Sequence, residues 1–173
     1  MSSASDVVPG APGGVVAEEG LAVGGLTFRE IADAEVEQVV ALWQECGLTR
    51  PWNDPYVDLA DARAGDTSTV LVAHAEAPAE GTQEDGTEQG AVVATVMAGH
   101  DGHRGWLYYV AVAPGRQGAG LGRAAVVAGE AWLAARGARK VQLMVRSANA
   151  KVVGFYERLG YADQETTVLG RWF

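Results

Sequence analysis

The stretch Val110-Ala111-Val112-Ala113-Pro114-Gly115-Arg116-Gln117-Gly118-Ala119-Gly120-Leu121-Gly122-Arg123 joins an apolar run to three glycines and then to an apolar-periodic segment. The run, from about Trp106 to Val112, reads as a strand that stops before Pro114, because the residue before proline is steered away from helix. The segment after the glycines reads as a helix of about 15 residues ended by Gly137. Gly118, Gly120 and Gly122 therefore stand where backbone N–H groups and the positive end of a helix dipole can face a phosphate. A dinucleotide fingerprint GxGxxG fails, since its third glycine would fall on Arg123, and no acidic ribose partner follows about 20 residues on. No GxxxxGK[ST] loop occurs in the chain. From the glycines alone two readings stay open, a tight turn and a pyrophosphate cradle.

Upstream, Thr69–Ala75 and Ala91–Ala98 read as strands around an acidic, Gly-rich stretch, 77–90, taken as a lengthened hairpin loop. Leu26 and Phe28 alternate as a short strand. Asp33 is expected to cap a helix with Val36, Val39, Val40 and Trp43 on one face, ended by Gly47. Arg50-Pro51-Trp52-Asn53-Asp54-Pro55 is turn-rich, and a short helix follows over Tyr56–Ala64. Downstream, Val141, Leu143 and Val145 alternate as a strand, Ala150–Leu159 reads as a helix closed by Gly160, and Thr166–Phe173 supplies last strands. The first 25 residues lack periodicity and read as a flexible leader. The pattern gives one domain over 26–173, a mixed α/β fold with a sheet flanked by helices. Trp43 and Trp132 fall on helical faces and are expected in the core.

The net charge of −9 is unevenly spread. Residues 26–76 with 91–103 carry 3 bases against 11 acids, and residues 104–173 carry 10 bases against 4 acids. Such a chain can hold a polyanionic ligand on its basic half and a cationic substrate on the other. No uniform basic stripe is present, so nucleic acid is not expected as a partner. The single cysteine, Cys46, excludes an intrachain disulfide and a multi-cysteine metal site. No run approaches the roughly 18 apolar residues of a membrane span, and no basic n-region opens the chain, so a cytoplasmic protein is expected. His100 and His103 beside Asp101 offer poor ligand geometry in a turn, and no metal is expected.

The core Gln117-x-x-Gly120-x-Gly122, after a strand and at a helix start, closely resembles motif A of the GNAT superfamily of acyl-CoA N-acyltransferases, Q/R-x-x-G-x-G/A. A second block resembles the same superfamily: Val145-Arg146-Ser147-Ala148-Asn149, then Gly154-Phe155-Tyr156-Glu157-Arg158-Leu159-Gly160-Tyr161. Asn149 stands seven residues before Tyr156, and E-R-L-G-Y follows. Within the superfamily, R-P-W-N-D-P at 50–55 and D-G-H-R-G at 101–105 are similar to the bacterial YpeA-type acetyltransferase group. The resemblance covers about residues 26–173. It implies a twisted, mostly antiparallel mixed sheet of six to seven strands with about four helices, and acetyl-CoA as co-substrate. It also implies residue roles. Val110, Ala111 and Val112 would pair through their backbone with the pantetheine arm as an added strand. Gln117, Gly118, Ala119, Gly120, Leu121, Gly122 and Arg123 would hold the pyrophosphate. Asn149 would contact the pantetheine or thioester, and Tyr156 would stand near the sulfur.

Acetyl transfer to an amine needs a neutral amine, a polarised carbonyl and a proton for the leaving thiolate. A tyrosine titrating near about 10 is protonated at neutral pH and can serve a thiolate as general acid, which is the role expected of Tyr156. Strand N–H groups near Val110–Val112 would polarise the carbonyl. The base is less legible. Peptide N-terminal acetyltransferases of the ribosomal-protein type often carry Glu two positions before the Arg of this block, where this chain has Met144. Glu30, Asp54 and Asp101 are the carboxylates whose segments flank the acceptor cleft. Trp52 lines the acceptor pocket or lids the core. Alternation sends one of Tyr108 and Tyr109 to the cleft and the other to the opposite face. The expected activity is transfer of an acetyl group to a primary amine of a small molecule or peptide by direct attack in a ternary complex; a homodimer is one assembly this allows. Two other readings are a non-catalytic acyl-CoA-binding regulatory domain and, from the glycines alone, a pyridine-nucleotide oxidoreductase.

Overall fold

Gly24 and Gly25 both take positive φ, 60° and 81°, the backbone of a two-residue turn that matches the twist of a hairpin. They join β1 (Leu21–Val23) to β2 (Leu26–Glu30), with Val23 opposite Leu26. The fold therefore starts inside the expected 1–25 leader, because a Gly-Gly pair flanked by alternating residues forms a turn. The computed structural model describes residues 20–75 and 90–171. The rest of the leader and nearly all of the expected 77–90 loop lie outside the described residues.

The sheet continues through β3 (Ser68–His74), β4 (Val92–His100), β5 (Gly105–Val112) and β6 (Val141–Leu143), in chain order. Pairings from β1 through β5 are antiparallel. The described residues hold four α-helices and six strands, the expected mixed α/β fold. The strand expected at 141–145 ends at Leu143, and of the last strands expected over 166–173 the described residues Thr166–Arg171 form none. Val168 and Leu169 are exposed there, and strand propensity without a partner to pair with does not make a strand. The chain divides into two compact units between Gln142 and Leu143. No helix among the described residues is long and apolar enough to cross a membrane.

In the first unit one face of the sheet carries α1 (Val36–Glu45) and α2 (Pro55–Arg63), which bury Val39, Val40, Trp43, Leu59 and Ala62 against Val70, Val72, Val92, Met97 and Ala111. Asp54 caps α2 by accepting the Tyr56 N–H at 2.9 Å, and Pro55 needs no N–H partner at the first helical position. Asp33 does not cap α1. Glu35 accepts the Ala32 N–H at 2.7 Å instead, while Asp33 pairs with Arg63. The Glu35 carboxylate is buried and takes two Arg29 hydrogen bonds, at 2.8 and 2.7 Å. Burial alone pushes its pKa up, but the Arg29 and Ala32 donors outweigh this and hold it below the ordinary value.

The other face carries α3 (Leu121–Ala135), which packs its small residues tightly onto the strands. A Cβ on Gly129 would lie 2.7 Å from Leu107 Cδ2 and 3.1 Å from Val96 Cγ2, so glycine sets how near the helix lies. Gly137 ends α3 at φ 85°, with Ala138 N–H donating to the Leu133 carbonyl at 3.1 Å. Trp43 and Trp132 are both buried, as their helical positions require.

Candidate active site

β5 breaks its regular pairing in the middle. Met97 faces Tyr108 and Thr95 faces Ala111, so β5 spends three steps where β4 spends two. The extra step is taken at Tyr109, whose φ of 47° lies in the left-handed region that bulky residues rarely enter. Three contacts hold it there. Its ring stacks on Trp43 with centroids 3.9 Å apart, its carbonyl accepts the Thr95 hydroxyl at 3.1 Å, and its own hydroxyl donates to Asp58 Oδ2 at 2.5 Å. Trp43 Nε1 donates to the same Thr95 oxygen at 3.0 Å, so the thread is closed. Burial first, and then the Asp58 carboxylate, push the Tyr109 phenol up to about 12.

The bulge overturns the expectation from alternation. Tyr108 lies opposite Met97, which packs under α1 and α2, and Tyr109 stacks on α1 itself. Both tyrosines are on that face, because the added residue resets the two-residue period.

Beyond the bulge come Val110, Ala111 and Val112. The Val112 carbonyl accepts the Gln117 Nε2 at 3.2 Å and the Cys46 thiol at 3.3 Å. Gln117 thus ties the end of β5 to the glycine loop. Gly118 and Gly120 have φ of 84° and 85°, and a Cβ on either would meet nothing within 4 Å. Glycine is required there for its backbone and the space beside it is open. Gly120 is the N-cap of α3, no side chain caps the helix, and its carbonyl takes the first helical bond from Ala124 N–H at 3.0 Å. The first-turn N–H groups of Leu121, Gly122 and Arg123 have no partner within a helix by construction. Ala119 is exposed between the two glycines, and the exposed Arg116 and Arg123 form no ion pair among the described residues. Outward-facing N–H groups, a helix dipole and two uncommitted guanidinium groups suit a diphosphate. Of the expected cofactor residues, those from Val110 to Arg123 are continuous in the chain, with Ala111 buried in the core and Gln117–Gly120 exposed.

The second unit holds the remaining cofactor residue, Asn149, and the expected acid, Tyr156. Asn149 caps α4 (Ala150–Glu157), its Oδ1 accepting the Val152 N–H at 3.3 Å. Gly160, at φ 92°, closes the helix, and Tyr161 N–H donates to the Tyr156 carbonyl at 3.1 Å. That closure lays the Tyr161 ring edge-on to Tyr156 at 5.6 Å, while Phe155 lies 4.9 Å from it on the helix. Burial pushes the Tyr156 phenol up to about 12, so it carries its proton throughout the neutral range.

The three carboxylates expected near the acceptor have other work. Glu30 accepts Trp132 Nε1 at 3.0 Å, under α3. Asp54 is the α2 cap. Asp101 accepts the N–H groups of Arg104 and His103 at 2.6 and 2.8 Å, which hold its pKa down at about 2, and it sits at the far end of β5 from Val112. Trp52 is 61% exposed and does not lid the core. The carboxylate beside the bulge is Asp58, which the sequence reading missed. The available signal was its place on α2 beside the buried Leu59, with Ala62 one turn on, where an acid is held against the core face.

A family model described as the acetyltransferase (GNAT) family matches residues 36–161. An acetyltransferase of Yersinia enterocolitica serotype O:8 / biotype 1B is 38% identical over 146 residues, 84% of this chain and 94% of the relative. An acetyltransferase of Yersinia pestis is 39% identical over the same shares. Among solved structures, AAC(6')-Iy in complex with the bisubstrate analogue CoA-S-monomethyl-acetylneamine superposes with a TM-score of 0.67 at 16% identity, over 86% of this chain and 98% of the other. Glucosamine-6-phosphate N-acetyltransferase from Arabidopsis thaliana superposes at 0.60 with 21% identity, over 86% and 98%. At those identities the likeness speaks to the fold.

Proposed function

The chain belongs to the acetyltransferase (GNAT) family, and we propose that it transfers the acetyl group of acetyl-CoA to a primary amine of a small molecule or peptide, by direct attack in a ternary complex. The observation that carries the reading is the uncapped start of α3 behind Gly118 and Gly120, with Arg116 and Arg123 beside it. The first-turn N–H groups take the pyrophosphate, and the two guanidinium groups add charge. Gln117 steadies the loop through Val112, and the backbone of Val110–Val112 pairs with the pantetheine arm. Asn149 and Tyr156, in the second unit, enter this reading from the family motif alone.

The amine nitrogen attacks the thioester carbon and the carbon–sulfur bond breaks. N–H groups at the bulge stabilise the carbonyl oxygen as it gains charge. Tyr156 gives a hydrogen bond, and then its proton, to the departing sulfur, and the amine's surplus proton passes through water to restore the phenol. A phenol at about 12 is a weaker acid than a free thiol at about 8.5, so full transfer is helped only if the sulfur is itself poorly solvated. Tyr156→Phe should therefore lower kcat by about a hundredfold. Acetyl-CoA and CoA should still raise the Tm of the variant, and NAD should not. Full turnover by the variant removes the acid role, and loss of the CoA shift in the parent removes the site.

A further inference from the structure

Among the described residues Asp58 is the carboxylate bonded to the bulge, and its hydrogen bonds are one-sided. Tyr109 Oη at 2.5 Å and Asn53 Nδ2 at 3.2 Å both donate to Oδ2, and Oδ1 takes no hydrogen bond among the described residues. The carboxylate forms no ion pair among the described residues. Arg50, the cation that lowers the Tyr109 phenol from nearby, donates from Nη1 to the carbonyls of Gly47 and Thr49, at 2.7 and 2.6 Å. Asp54 caps α2, Glu37 takes the Tyr56 hydroxyl at 2.8 Å, Asp33 and Glu35 hold arginines, and Asp61 is exposed on α2. A half-buried carboxylate fixed by two neutral donors, with one oxygen open and no ion pair, is a partner for a cation brought by a ligand.

Its position gives that cation a role. Tyr109 immediately precedes Val110, the first residue of the segment assigned above to the pantetheine arm, so Asp58 is bonded to the strand one residue before that segment. We propose that Asp58 determines acceptor specificity, its Oδ1 holding a second cationic centre of a di- or polyamine while another nitrogen of the same molecule takes the acetyl group. The held nitrogen is not the reacting one, because an ion pair with a carboxylate stabilises the ammonium form and blocks attack. Tyr109 and Asn53 are positioning residues that fix the carboxylate. The assignment rests on the acetyltransferase reading, and on an acidic half of the chain with 11 acids against 3 bases.

The experiment compares cadaverine and spermidine with pentylamine, in equilibrium binding to the CoA-loaded protein and in acetyl transfer. Asp58→Asn keeps an oxygen for Tyr109 and Asn53 and removes only the charge. The parent should bind the two polyamines at least about tenfold more tightly than pentylamine, and the variant should bring the three within about twofold. The lost preference should appear in the ratio of the polyamine KM to the pentylamine KM. Tyr109→Phe, which keeps the ring on Trp43, should lose part of the preference. A parent without preference, or a variant that retains it, overturns the proposal. Absence of any acetyl transfer with polyamine binding still dependent on Asp58 instead overturns the acetyltransferase reading and leaves the cation site standing.

Discussion

The two faces of the central sheet are built on different chemistry. Under α3 the contact is close and, apart from the Trp132–Glu30 hydrogen bond, apolar: Gly129 lets the helix settle on Val96 and Leu107, and Gly105 leaves room for Leu133, whose Cδ1 would lie 2.8 Å from a Cβ there. Under α1 and α2 the core is threaded by polar atoms, with Trp43 bonded to Thr95, Thr95 to Tyr109, Tyr109 to Asp58, and Cys46 to Val112. Close apolar packing supplies stability through excluded water and dispersion and tolerates no added volume. The polar thread gives less net stability per contact but fixes one residue in a backbone conformation it would otherwise leave. One face holds the sheet and the other shapes the edge where the chemistry is proposed.

Trp43→Ala tests this most severely, because Trp43 is fully buried and also carries the stack that pins Tyr109. It should cost about 3–5 kcal/mol, a fall in Tm on the order of 10 °C. Acetyl transfer measured well below that Tm should fall as well, since the bulge loses its clamp. Gly129→Leu attacks the opposite face. Overpacking against buried Val96 and Leu107 should cost about 1–3 kcal/mol, with kcat at saturating acetyl-CoA kept in the folded fraction. If both variants reduced turnover in proportion to their loss of stability alone, the division of labour between the faces would be wrong.

The elements that local chemistry dictates were legible. Asp54-Pro55 starts α2, Gly120 and Gly137 bracket α3, and Gly160 ends α4, each because one residue satisfies a backbone need within its own turn. The loop from Gln117 to Arg123 was legible for the same reason. The β1–β2 turn was equally local, and Gly24-Gly25 announced it, yet the surrounding Gly- and Ala-rich composition masked the alternation. What could not be read is what depends on distant partners. Tyr109 leaves the regular strand because Trp43 and Thr95 wait for it, and Asp58 meets its hydroxyl from 51 residues away. No spacing rule along the chain places those groups together. Asp33 shows a nearer contest, in which a plausible cap lost to Glu35 because Glu35 also satisfies Arg29.

The smallest effect concerns titration, and it separates the two faces without disturbing either. The buried contact under α3, of Val96, Leu107, Leu133 and Gly129, has nothing to ionise, whereas the opposite face holds the Tyr109 phenol at about 12. An unfolded tyrosine titrates near about 10, so the native state keeps a proton that the unfolded chain gives up between those values. The corresponding stability is fully present below pH about 10 and is lost as pH rises through about 12. Tyr109→Phe should cost about 1 kcal/mol at neutral pH through the lost bond to Asp58. It should also flatten, without abolishing, the alkaline decline in Tm, because Tyr156 keeps its own late titration. Tyrosinate absorbance of the folded protein should show one late-titrating phenol fewer in the variant. If Tyr109 ionised with the ordinary tyrosines, its hydroxyl would be facing solvent, and Asp58 would lose the donor that fixes it.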